Sequence, residues 1–344
     1  SCEISYFSVF GCRRRSANGH ILRRMQPNLI VRGGTVVDGT GREPFEADVA
    51  IAGGSITAVG KVKASAATEI DARGRIVTPG FVDVHTHYDA QATWANHLTP
   101  SSFNGVTTVL MGNCGVGFAP VRPHQHDMLI ELMEGVEDIP EVVLNEGLPW
   151  TWESFPEYLD TLAGRQYDVD VATQVPHAAL RVYVMGQRGA DREPATAADR
   201  QAMAALAAQG VAAGAFGFST SRLLQHRTAG GDPIPSYGAA EDELTEIVVE
   251  VAKVGRPWIQ VVADFGERQE EEFGLLRRLV ERSGLPLTLT LLQVNRFPDE
   301  WRELLQRIAK VNAAGHVMTG QTRGRPTSTL LGFELSNNPF RDCP

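Results

Sequence analysis

Cysteine is scarce in this chain. Four residues (Cys2, Cys12, Cys114 and Cys343) among 344 are too few and too scattered for a disulfide framework, so the expected setting is reducing and cytoplasmic. Long apolar runs are missing as well. None approaches the roughly 18 residues that a membrane helix needs. Positive charge is also in deficit, with 32 Lys and Arg against 41 Asp and Glu and a formal net charge of −9. That balance argues against a nucleic-acid or anionic-membrane partner and for a soluble cytosolic protein. What remains is ordinary for a globular protein: 43% hydrophobic and 21% charged residues, enough for a large packed core.

Residues 1–24 hold an apolar patch followed by Arg13, Arg14, Arg15, Arg23 and Arg24. A secretory signal has the opposite order, and the segment reads as a leader or non-domain stretch ahead of Met25. Residues 25–79 read as a small β unit: NLIVRGGTVVDGTG, ADVAIAGGSITAVG and TEIDARGRIVTPG alternate β-branched runs with Gly-Gly, Asp-Gly and Pro-Gly turns. From residue 80 the rhythm changes. Seven strand-like runs recur: FVDVHTH, GVTTVLMGN, VDVATQV, GAFGFSTS, PWIQVVADF, PLTLTLLQ and HVMTGQ. Helical stretches separate several of them and are expected to stop at Gly255, Gly284 and Gly315. The later strands start about 30 residues apart, the size of one βα unit. The expected fold class is therefore α/β: a TIM-like (β/α)8 barrel over 80–344 with a small N-terminal β-sandwich. Only seven strands are countable, so the barrel is expected to lack its eighth and, as an isolated chain, to be unstable or inactive. Residues 118–165 read as a helical insertion containing a capped helix in WTWESFPEYLDTLAG.

The chemistry concentrates in FVDVHTHYDA, residues 81–90. Extended backbone alternates its side chains, so Asp83, His85, His87 and Asp89 fall on one face. Two neutral imidazoles at i and i+2 can chelate one metal ion, with Asp83 beneath them to orient an imidazole. Cys114, in MGNCGVGFAP, ends the second strand at the same rim. It reads as a soft ligand or as a small buried apolar residue.

PGFVDVHTHYD, GNCGVGFAPV, WESFPEYLD, PHAALR and GFSTS, following the small β unit, resemble the N-acyl-D-amino-acid deacylases of the metal-dependent amidohydrolase superfamily. The resemblance runs over about 28–340. It implies that His85, His87 and Cys114 are metal ligands, that strands five and six each add a histidine, and that an Asp from strand eight carries the proton during amide hydrolysis. Strand five here reads WIQVVADF and strand six TLTLLQ. Neither holds that histidine, and the catalytic Asp is not assigned in this chain. His226, or the oxygens of Asp264 and Gln293, could repair the ligand set; a one-metal centre, with zinc as the ion, is the preferred reading. Arg181 in PHAALR is the expected grip on a substrate carboxylate, with His177 and His226 as further substrate contacts and Arg222 and Arg227 as additional candidates. Two other functions stay open: a cyclic-amide hydrolase of the hydantoinase or dihydroorotase kind, and a barrel that has lost catalysis.

Overall fold

The computed structural model describes residues 26–322. The leader expected at 1–24, and whatever follows the seventh strand, lie outside the described residues. The chain divides after Phe81 into two compact units.

The first unit is a five-stranded sheet built from β1 (Leu29–Val36), β2 (Phe45–Ala52), β3 (Ser55–Gly60), β4 (Thr68–Asp71) and β5 (Ile76–Val77). The order is β3-β2-β1-β4, with β5 also beside β1. β2 runs antiparallel to β1 and β3, whereas β4 and β5 run parallel to β1. The described residues form one sheet here, not the two layers of the expected sandwich. Val36, Ala47 and Val49 make its small core. Asp48 pins the crossing loops by accepting the amides of Gly33 at 2.9 Å and Val62 at 3.1 Å.

The second unit carries the strands β6 (Phe81–Asp83), β7 (Val106–Met111), β8 (Asp170–Pro176), β9 (Gly217–Arg222), β10 (Trp258–Ala263), β11 (Leu287–Thr290) and β12 (Met318–Gln321). They lie side by side in chain order. The pairs from β7 to β12 are parallel, as expected when helices join successive strands. All seven coincide with the runs that the sequence marks out. Val109, Met111, Phe218, Ile259, Val261, Leu287, Leu289 and Met318 are buried in the large core. Between them the strands interleave polar residues. Ser219 pairs with Gln260, Gln260 with Thr288, and Thr288 with Thr319, which draws one polar row across four strands. His85, just past β6, reaches Gln321 on β12 at 3.1 Å. The sheet therefore curls until side chains from its first and last strands touch, as in a barrel wall.

Helix starts follow local sequence. Ser154 caps Phe155–Ala163 through a capping box with Glu157, and Thr196 does the same for Ala197–Ala213 with Asp199. Gly284 adopts the left-handed conformation that ends Gln269–Ser283. Glu241–Ala252 stops at Lys253, two residues before the glycine expected to end it. No helix of the described residues is long and apolar enough to cross a membrane.

Candidate metal centre

β6 ends at Asp83, so His85 and His87 sit in the turn that follows rather than within a strand. Their rings still converge, with centroids 5.4 Å apart and planes tilted by 57°. Cys114 comes in from the turn after β7. His85 Nε2 lies 3.0 Å from Cys114 Sγ, and His87 Nε2 lies 3.7 Å from the same sulfur. One donor atom from each of the three residues falls within 4.8 Å of the others. Two separate chain segments thus deliver the donors that the sequence paired.

The turn at Cys114 is held open for this purpose. Gly112 has φ 70°, and a Cβ there would overlap the Gln174 backbone, so only glycine fits. Cys114 itself takes φ 58°, a strained setting for a side chain with a Cβ. The polar row secures the strain: Cys114 N donates to Gln260 Oε1 at 2.9 Å, Gly115 N donates to Ser219 Oγ at 3.1 Å, and Ser219 Oγ donates to the Gly112 carbonyl.

Protonation favours ligation. His87 is driven well below the usual imidazole range by burial, then by the neighbouring imidazoles of His85 and His226. It presents a neutral ring. His85 Nδ1 faces Gln321 Oε1; an amide oxygen there places the proton on Nδ1 and leaves the Nε2 lone pair toward the sulfur. A ligating histidine is normally oriented by an acceptor on its other nitrogen. Sequence reasoning assigned the orienting role to Asp83, but Asp83 accepts the His85 amide at 3.4 Å and the Ser101 hydroxyl at 3.1 Å. It orders backbone, and Gln321 orders the ring. The donor set, two imidazoles and a cysteine sulfur, has the chemistry of a zinc site.

His226 lies beside this centre. Its Nδ1 is 2.9 Å from Ser221 Oγ at the end of β9, and burial together with the charge of His85 lowers it to about 4. One further group escaped the sequence reading altogether. Glu137, the last residue of the helix His126–Glu137, places Oε1 3.1 Å from His87 Nε2. Asp89 is buried beneath the turn, its carboxyl pushed up to about 7 by burial.

The structure turns Arg181 and His177, the expected carboxylate contacts, inward onto a buried carboxylate. Arg181 is 2% exposed and bonds Glu243 at 2.6 Å, while His177 is wholly buried and meets the same carboxylate at 2.7 Å. His177 Nδ1 is taken by Thr220 at 2.8 Å. Both side chains are spent on Glu243, which burial would push up but which His177 and Arg181 together hold at about 2. Arg222 is paired with Glu272 in the same buried fashion, and Arg227 donates to the Gly231 carbonyl. Asp264 accepts the Leu224 amide, and Gln293 is exposed near Pro298. Neither joins the cluster.

Comparison with known proteins agrees with this geometry. The sequence profile of the amidohydrolase family matches residues 68–334. The chain is 32% identical over 257 residues to a D-aminoacylase of Alcaligenes xylosoxydans xylosoxydans, covering 73% of this chain and 48% of the relative. Among solved structures, a D-aminoacylase described by its binuclear metal centre, with one-metal activation and second-metal attenuation, superposes with a TM-score of 0.70 at 30% identity. An N-acyl-D-glutamate deacylase from Bordetella bronchiseptica, bound to zinc and a phosphonate mimic of the tetrahedral intermediate, gives 0.68 at 25% identity. Each superposition covers 86% of this chain and 58% of the other. The chain spans about half the length of the curated relatives it matches. By the profile match and this shared fold, the chain belongs to the amidohydrolase family and, within it, resembles the D-amino-acid deacylases.

Proposed function

We propose that this chain carries the metal centre of a hydrolase that removes the acyl group from N-acyl-D-amino acids. One observation carries the reading: His85, His87 and Cys114 gather three donor atoms within 4.8 Å of one another, where relatives named D-aminoacylase and N-acyl-D-glutamate deacylase share sequence and fold. His85, His87 and Cys114 would hold a zinc ion, whose chemistry would be to lower the pKa of a water and to polarise the amide carbonyl. The protein's own part is preorganisation. Burial keeps His87 neutral, Gln321 sets the tautomer of His85, and Gln260 fixes the strained turn that aims Cys114. His226 offers a neutral imidazole next to the centre for substrate contact. One ion is preferred over two, because WIQVVADF and TLTLLQ, the runs of β10 and β11, hold no histidine to serve a second one. The cluster includes a cysteine, which favours deacylation over the cyclic-amide alternative. A cytoplasmic, small-molecule setting belongs to the same proposal, from the sparse cysteines and negative charge.

Elemental analysis of the purified protein, beside a His85→Ala/His87→Ala variant, tests it. The expected result is about one zinc per chain, lost in the variant, with hydrolysis of N-acyl-D- but not N-acyl-L-amino acids by the metal-loaded protein. A folded protein that takes up no metal overturns the reading.

A further inference from the structure

We infer that Glu137 is a ligand of this metal centre, an oxygen donor that takes up a position left by the histidines missing from strands five and six. The inference rests on the proposed metal-centre reading and adds to it a residue from outside the barrel strands. Zinc bonds of about 2.0–2.2 Å to nitrogen or oxygen and about 2.3 Å to sulfur, arranged tetrahedrally, put neighbouring donors about 3.3–3.6 Å apart. Here the successive separations are 3.0 Å from His85 Nε2 to Cys114 Sγ, 3.7 Å from that sulfur to His87 Nε2, and 3.1 Å from His87 Nε2 to Glu137 Oε1. These three edges scatter about the tetrahedral value by a few tenths of an ångström, and because the Glu137 oxygen lies outside the 4.8 Å group formed by the other three donors, it closes on the ion by a side-chain rotation from its contact with His87. Two imidazoles, a thiolate and a carboxylate are a complete zinc donor set.

The charge distribution points the same way. Glu137 closes the helix His126–Glu137, whose last turn has no basic residue, and Glu134 and Asp138 stand beside it. A helix C-terminus carries about half a negative charge, which favours a cation beside it. The helix is also fixed in place from the side. Gly135 packs so closely on the backbone of Arg227 and Thr228 that a Cβ would overlap it, and Ala229 N donates to the Glu131 carbonyl at 3.1 Å. Glu137 is therefore held at the centre by the same segment that positions His226.

The test compares wild type, Glu137→Gln and His85→Ala/His87→Ala in two readouts. These are zinc affinity by chelator competition and the visible absorption of the cobalt(II)-substituted protein. A ligand role predicts at least a ~10-fold loss of zinc affinity in Glu137→Gln, together with altered cobalt bands, while apo Glu137→Gln melts no lower than apo wild type. Unchanged affinity overturns the inference. So does weaker affinity with an unaltered cobalt spectrum, since Glu137 would then only hold His87 in place. Wild type without metal overturns both the inference and the metal-centre reading. Metal lost from the histidine variant but kept by Glu137→Gln sinks the inference alone. If Glu137→Gln does not fold, Glu137→Asp, which keeps the charge but withdraws it by one methylene, is read by the same two criteria.

Discussion

At the residue scale, the site depends on side chains that never approach the metal position. Gly112 and Gln260 are the clearest. Gly112→Ala is expected to cost at least ~1 kcal/mol, because the new Cβ meets the Gln174 backbone and φ stays positive. Urea unfolding measures the cost, and zinc retention should fall with it as the Cys114 turn moves. Gln260→Leu removes the acceptor of the Cys114 amide while keeping shape. The fold should survive and zinc affinity should drop about tenfold; equal affinity in the variant would show that the turn needs no such support. These residues also mark the limit of what the sequence reveals. His85 and His87 are legible because spacing alone puts them together. Gln321 and Gln260 are not, since their contacts to His85 and Cys114 span 236 and 146 residues and exist only once the sheet has curled. Glu137 is hidden for the same reason. A carboxylate at a helix end among other acids looks like a solvated surface until the helix is docked.

At the scale of elements, strand rhythm and helix caps are readable because each depends on neighbours in sequence. Ser154 with Glu157 and Gly284 are examples. The burial of Arg181 is not legible in the sequence because its partner, Glu243, lies 62 residues away on another helix. That ion pair ties the helix His177–Met185, the strand β9 through Thr220, and the first turn of Glu241–Ala252 into one buried knot. Its pH dependence follows from the Glu243 carboxyl, lowered from 4.5 to about 2. A carboxyl with a depressed folded-state pKa adds stability above its unfolded value and loses it as pH falls through the folded one. The contribution is therefore complete above about pH 4.5 and vanishes toward pH 2. Glu243→Gln leaves the Arg181 guanidinium buried without its counter-charge and should cost about 3 kcal/mol near neutral pH. Unfolding of both proteins across pH 7 to 3 measures the gap, which must narrow on the acid side. A gap independent of pH would mean that Glu243 acts through packing instead.

At the scale of the whole molecule, a sheet curled on itself gathers turns from strands far apart in sequence, and the candidate metal centre sits where they converge. Candidate donors from two segments, the turn after β6 and the turn after β7, meet at one point, and the helix ending at Glu137 stands against His87. An ion bound there joins those segments in the native state and finds no such site in the unfolded chain. Binding must then raise stability by mass action. With free zinc at about 100 times its Kd, the gain is about 2.7 kcal/mol, which in a unit of this size shifts the melting temperature by about 5 °C. Thermal melts with added zinc and with a chelator measure it, and the difference should grow with the logarithm of zinc concentration. His85→Ala/His87→Ala should melt at one temperature under both conditions. A zinc-dependent shift that persists in that variant would place the stabilising ion elsewhere in the molecule.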